Sequence, residues 1–319
     1  MLKKENIYDL KITTIFVIIP TILLISLYFF YPYDPNLSSE HEHVFEPIHT
    51  LIVLAIIFLG AGFFTDKKVF GKKLKMIGWI AFAIFWSTQP KSLYLSEEGD
   101  IFNAILCIIG VYALFYFAYQ EWLSDKRKEQ NKTLNWIAGA AFIAAAIYYG
   151  IEKTPLAMWL RQLVAAQSAG MLNLITGEEV RVGGLDNLLI SYKKSNLYLI
   201  FACTGVQSMV IFIGVLAPLK NVNYIKRFYG ILITVIPIYI LNLLRNAMIS
   251  YLVGNNITDF STAHNYLAKA GSLITLIVLL FILIKIIPEL FDEINKIIDL
   301  PKRKGPIERF FIRYIWGKK

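Results

Sequence analysis

Between Ile101 and Trp122 the chain reads IFNAILCIIGVYALFYFAYQEW, 22 residues with one charged side chain, Glu121, next to the end. As a helix rising 1.5 Å per residue this run reaches about 33 Å, enough to cross a hydrocarbon core of about 30 Å. Working outward, comparable apolar runs cover Leu10–Tyr31, Pro47–Phe64, Leu74–Trp86, Leu134–Ile151, Leu197–Pro218, Phe228–Met248 and Tyr266–Ile287. The reading is an all-α polytopic helical membrane protein with about eight transmembrane helices. Composition agrees: 56% of the 319 residues are hydrophobic and 17% charged, against about 25% charged in a soluble domain. Disorder, a coiled coil and a secreted disulfide scaffold are excluded. The first run is too long for a removable signal peptide and lacks a small-residue cleavage site, so it reads as a retained helix.

The net charge of +9 does not gather into a nucleic-acid surface. Cations instead cluster in alternate connections: Lys3, Lys4 and Lys11; then Lys67, Lys68, Lys72, Lys73 and Lys75; then Lys126, Arg127, Lys128 and Lys132; then Lys220, Lys226 and Arg227; then the C-terminal segment from Lys302 to Lys319. The intervening connections Asp34–Glu46 and Thr88–Asp100 are acidic. The positive-inside bias therefore predicts both termini in the cytoplasm. Two stretches break the pattern. Thr154–Ile175 starts with a Thr expected as N-cap and a Pro in the first turn, and carries Arg161, Gln162 and Gln167 in mid-run, which predicts an interfacial helix. Thr176–Leu197 holds Gly183-Gly184 between alternating residues, which predicts a short β-hairpin-like outer loop. The expected organisation is residues 1–153 as an N-terminal five-helix membrane region and 154–197 as an extracytoplasmic helix and loop. Residues 198–287 form a catalytic three-helix region, and 288–319 a basic cytoplasmic tail.

Polar residues at membrane depth are functional candidates. Cys203 lies in FACTGVQS, Arg245 in LRN and His264 in AHN, and the predicted topology brings all three to the outer membrane boundary. A thiolate is a strong nucleophile, but in apolar surroundings it needs a nearby cation to form. An imidazole exchanges the thiol proton with a leaving amine. A guanidinium stabilises thiolate or oxyanion. Thr204, Gly205 and Ser208 are small and hydroxyl-bearing beside the nucleophile, and Asn246 and Asn265 stand ready to orient their neighbours or meet substrate. The set reads as acyl transfer. Cys107, inside ILCII with no polar neighbour, reads as a buried small hydrophobe. His41, His43 and His49 with Glu40, Glu42 and Glu46 read as a polar outer loop, with a metal site as the weaker alternative. No cofactor is expected.

The order Ala202-Cys203-Thr204-Gly205, then Arg245-Asn246, then His264-Asn265 resembles the pattern of the exosortase/archaeosortase transpeptidases, with the Thr after the Cys closer to the archaeal branch. The resemblance covers about Leu197–Ile287. It implies a membrane enzyme that recognises secreted proteins bearing a C-terminal tripartite sorting signal: a short motif, an apolar helix and a basic end. Such an enzyme cuts near the motif on the outer side and passes the new C-terminus, through a thioester, to a membrane lipid or other surface acceptor. It implies Cys203 as nucleophile, Arg245 as stabiliser and His264 as acid and base, with Lys269 the alternative in the third role. A transporter or channel would use the same intramembrane polar residues, and a non-catalytic scaffold for surface-polymer assembly would use the long outer segment for docking. Neither paired broken helices nor mid-span acids favour a transporter.

Overall fold

The computed structural model describes residues 2–32, 46–95, 100–184 and 186–314. His41, His43, Glu40 and Glu42 lie outside them, as do the side chains of Glu46 and His49. The helices in chain order are α1 (Leu2–Thr13), α2 (Ile19–Phe30), α3 (Glu46–Phe64), α4 (Val69–Ser87), α5 (Gln89–Leu95), α6 (Ile101–Lys126), α7 (Lys132–Glu152), α8 (Pro155–Thr176), α9 (Val206–Leu216), α10 (Tyr224–Gly254), α11 (Lys269–Ile286), α12 (Pro288–Ile298) and α13 (Pro306–Tyr314). Among the described residues, five helices are long and apolar enough to cross a membrane: Glu5–Phe30, α6, α7, α10 and Thr262–Ile286. Along them Ile22, Phe29, Ile109, Ile236, Ile274 and Phe281 are at least half exposed, a surface that only a lipid environment tolerates over such lengths. The protein is a multi-pass helical membrane protein.

The chain divides into two compact units, residues 1–142 with 292–319, and residues 143–291. In the first, α3 and α4 pack as a pair and α4 packs on α6. Gly78 permits the close approach, since a Cβ there would stand 2.8 Å from Leu59 Cγ. Trp79, Val111, Phe115 and Tyr119 fill the centre. One Lys of the second cationic cluster is not a surface residue. Lys75 is 1% exposed and pairs with Asp66 at 2.6 Å and Glu121 at 2.9 Å; a buried charge requires such partners. The C-terminal segment is folded rather than trailing. Glu308, 7% exposed, accepts hydrogen bonds from Tyr116 and Tyr119 (both 2.7 Å) and from Gln120 Nε2 (2.9 Å), and Arg309 pairs with Asp9 at 2.5 Å. Glu308→Ala leaves three donors without their acceptor and is expected to cost roughly 2–4 kcal/mol, read as a lower Tm in detergent and faster protease nicking near α13.

In the second unit, α8 begins as the sequence predicts, with Pro155 in its first turn, but Thr154 does not cap it: the hydroxyl donates back to Ile151 O at 2.7 Å. Gly177 ends the helix at φ 68°. Val164, Ala165, Ser168, Ala169 and Leu172 form its buried stripe. Two of the mid-run polar residues tie it to the loop that follows: Arg161 Nε donates to Leu199 O at 3.0 Å, and Gln162 Nε2 to Asp186 O at 2.9 Å. That loop is a three-stranded antiparallel sheet, β1 (Arg181–Gly183), β2 (Leu189–Tyr192) and β3 (Ser195–Tyr198), registered Gly183↔Leu189 and Tyr192↔Ser195. Ile190, Tyr192, Ser195 and Leu197 point inward with the period of two that a half-buried sheet requires.

Candidate active site

The run Leu197–Pro218 reads in sequence as one span, and the structure divides it. β3 ends at Tyr198, Phe201–Thr204 forms a 3-10 turn, Gly205 turns the backbone at φ 77°, and only then does α9 begin. Eleven residues of helix rise roughly 16 Å, about half of a bilayer core. The turn has local causes. Thr204 Oγ1 donates to Phe201 O at 2.7 Å and accepts from Val206 N at 3.4 Å, so Thr204, 1% exposed, shapes the turn. Phe201 packs its ring 5.2 Å from that of Tyr148. Cys203, 6% exposed, thus sits just ahead of the first turn of α9. The positive end of a helix favours a thiolate over a thiol.

α10 grips this turn. Asn242 Nδ2 donates to Cys203 O at 2.8 Å, and Asn246 Nδ2 to the same oxygen at 3.2 Å and to Ser168 Oγ at 3.4 Å. Residues four apart share a helix face, so one face of α10 saturates the Cys203 carbonyl and fixes the residue. Arg245 lies between the two amides in sequence. Its guanidinium interacts electrostatically with Cys203, forms no ion pair among the described residues, and its buried Nε meets no hydrogen-bond acceptor there. Arg245 lines a cavity of about 180 Å³ between α10 and α11, together with Gly205, Ser208, Asn242, Ser272 and Thr275. Cys203 and His264 are not part of that lining.

His264 and Asn265 sit on a π-helical turn, Thr262–Ala268, that runs into α11. Such widened turns recur at functional sites. The His264 ring stacks on Phe260 with centroids 5.2 Å apart and planes 17° from parallel. Asp259 anchors the turn by accepting from Thr262 N (2.8 Å) and Oγ1 (2.7 Å), and these bonds hold its carboxyl below the usual carboxylate range. Asn265 Oδ1 accepts from Lys269 Nζ at 2.6 Å, so it serves the ammonium one turn on. Cys203, Leu243, Ala263 and Ala268 belong to one apolar cluster; the three elements that carry Cys203, Arg245 and His264 therefore share a core.

A transmembrane exosortase family model matches residues 15–284. The chain belongs to the exosortase family. It is similar to Archaeosortase A of Natronomonas pharaonis, 24% identical over 300 residues, which cover 83% of this chain and 91% of the relative. Archaeosortase A of Haloferax volcanii is 22% identical over 286 residues, 77% of this chain and 91% of that one. No solved structure matches the chain. In this exosortase two neighbours of the Cys203 turn escape a reading of the sequence alone. Asn242 carries a signal in hindsight, a second amide one helical turn before Asn246 inside an apolar span. Tyr148, which interacts electrostatically with both Cys203 and Glu152, carries none, because YYG at the end of α7 looks like an interfacial aromatic belt. No group of three His, Cys, Asp or Glu side chains suited to a metal occurs among the described residues.

Gly205 joins the turn to α9, and a Cβ there would stand 2.9 Å from Asn242 Cγ while the backbone keeps φ 77°. Gly205→Ala is expected to destabilise by about 1–3 kcal/mol through strain at positive φ, and to push Asn242 off the Cys203 carbonyl. Thermal unfolding reads the first effect, and loss of the exosortase's processing activity the second.

Proposed function

We propose that this exosortase is a membrane-embedded cysteine transpeptidase acting on secreted proteins that carry a C-terminal sorting signal. The Cys203 thiolate attacks the scissile carbonyl, and Arg245 holds the oxyanion of the tetrahedral intermediate. His264, having taken the thiol proton, returns it to the departing amine, and the substrate's new C-terminus remains on Cys203 as a thioester. A lipid amine or hydroxyl at the interface attacks that thioester, its proton going back through His264, and the thiol is regenerated. The alternation of cationic connections supports a site on the outer face with both termini in the cytoplasm. The observation that carries the reading is the Cys203 turn itself: a thiol ahead of a helix start, its carbonyl doubly held by α10, beside a guanidinium with no ion-pair partner among the described residues.

The test is release of a sorting-signal peptide by the purified enzyme in bilayer discs. His264→Ala should slow acylation at neutral pH and recover part of its rate as pH rises, because more of the thiol ionises without a base. Lys269→Ala should leave turnover near the wild-type rate. An inactive Lys269→Ala beside an active His264→Ala would transfer the third role to Lys269.

A further inference from the structure

A second cavity, of about 470 Å³, lies between the C-terminal end of α8, the β2–β3 turn and the last turns of α10. Its floor is Leu172, Tyr192 and Ala247, each no more than 2% exposed, its apolar walls are Ile175, Leu244, Met248 and Tyr251, and its rim is the ion pair Glu178–Lys193 at 2.9 Å. Leu244 and Met248 also line the cavity beside Arg245. The two hollows therefore adjoin along α10, from Ile238 in the first to Asn255 in the second, a rise of about 26 Å. We propose that they form one groove that holds the sorting signal as a polypeptide, its polar motif beneath Glu178 and Lys193 and the start of its apolar helix between α10 and α11.

The proposal rests on the transpeptidase reading and adds where and how the substrate is read. The groove changes character along its length as such a signal does. At the far end, a hydrogen bond from Lys193 holds the Glu178 carboxyl below the usual carboxylate range, and the same contact holds the Lys193 ammonium above its own. Lys193 also donates to Asn255 Oδ1 at 2.7 Å. Both charges persist over ordinary pH, and together they present a donor and an acceptor rather than a net charge. That suits a polar peptide with its own N–H and C=O groups better than a lipid phosphate. The other end offers Ile238, Leu241 and Leu276 with the small residues Ala268 and Gly271, a surface that admits a helix closely. Arg245 lies between the two ends, which sets the scissile bond at the junction of motif and apolar helix.

Photo-crosslinking tests this on the full-length chain in vesicles. The probe is the C-terminal tripartite segment of a secreted protein encoded in the same genome. A benzophenone amino acid at Met248, in a Cys203→Ala background that preserves uncleaved substrate, should capture the peptide next to its cleavage junction. The same group at Ile236, 52% exposed on α10 but outside the groove, should capture lipid. Met248→Trp, which narrows the groove where its halves meet, should raise KM for the peptide about tenfold. Capture of lipid alone at Met248, or an unchanged KM in Met248→Trp, would overturn the groove. Capture reads binding without chemistry: peptide caught at Met248 but left uncleaved by the wild-type enzyme would retain the groove and reject the cysteine mechanism, while cleavage without capture would do the reverse.

Discussion

Replacing Cys203 with alanine should lower release of a sorting-signal peptide by roughly 10⁴-fold or more, since in the proposed mechanism it removes the nucleophile and with it the whole covalent route. The fold gives no substitute: the residues flanking the thiol are Ala202 and Thr204, and the Thr204 hydroxyl is committed to Phe201 O within the turn. Cys203→Ser should be nearly as inactive, because a hydroxyl is much harder to deprotonate and the helix end and guanidinium that favour a thiolate fall short of generating an alkoxide. The structural cost of either change is small. Cys203 is held through its backbone oxygen by Asn242 and Asn246, bonds that any residue at this position keeps. Cys203 also packs in an apolar cluster, so either change should lower the Tm by only a few degrees, which separates lost chemistry from lost folding.

Arg245→Ala should lower kcat/KM by about 10²–10³, the usual consequence of deleting one oxyanion donor. An Arg that served the fold would have an acceptor or a carboxylate beside it. Arg245 has no such ion pair among the described residues, yet it interacts with Cys203 and lines the cavity next to Gly205 and Ser208. Its positive charge is available to a reacting group. Arg245→Lys discriminates between two ways of using it. If the planar fork grips the oxyanion in two places, the Lys variant retains little activity; if only a nearby charge matters, it works almost normally. Measuring kcat/KM for both variants with one peptide decides the point.

The long spans were legible because membrane thickness sets a length that composition reports directly; α6, α7 and α10 start or end close to where their apolar runs do. α8 was legible from Pro155, and strand pairing in the segment after it from Gly183-Gly184 and the alternation that follows, though as a hairpin rather than as three strands. The division at Gly205 was not, because hydropathy is blind to a residue at φ 77° and Leu197–Pro218 is apolar whether or not it is one helix. Lys75 looked like its neighbours Lys72 and Lys73, since a cation in sequence does not show that Asp66 and Glu121 will meet it. The folded C-terminal helices depend on Glu308 finding Tyr116 and Tyr119 almost 200 positions earlier, a pairing that no local pattern encodes. At the site, residue types and order were readable, whereas the clasp of Asn242 and Asn246 on one carbonyl arises only from packing.

In the proposed mechanism Cys203 carries the substrate as a thioester. The most direct test is intact-mass analysis of the purified enzyme, acid-quenched within the first turnover of a sorting-signal peptide in bilayer discs. The expected product is an adduct equal in mass to the N-terminal cleavage fragment less water, located at Cys203, released by hydroxylamine and absent from Cys203→Ala. Peptide release by Cys203→Ala at the wild-type rate, with no adduct on either enzyme, would contradict it.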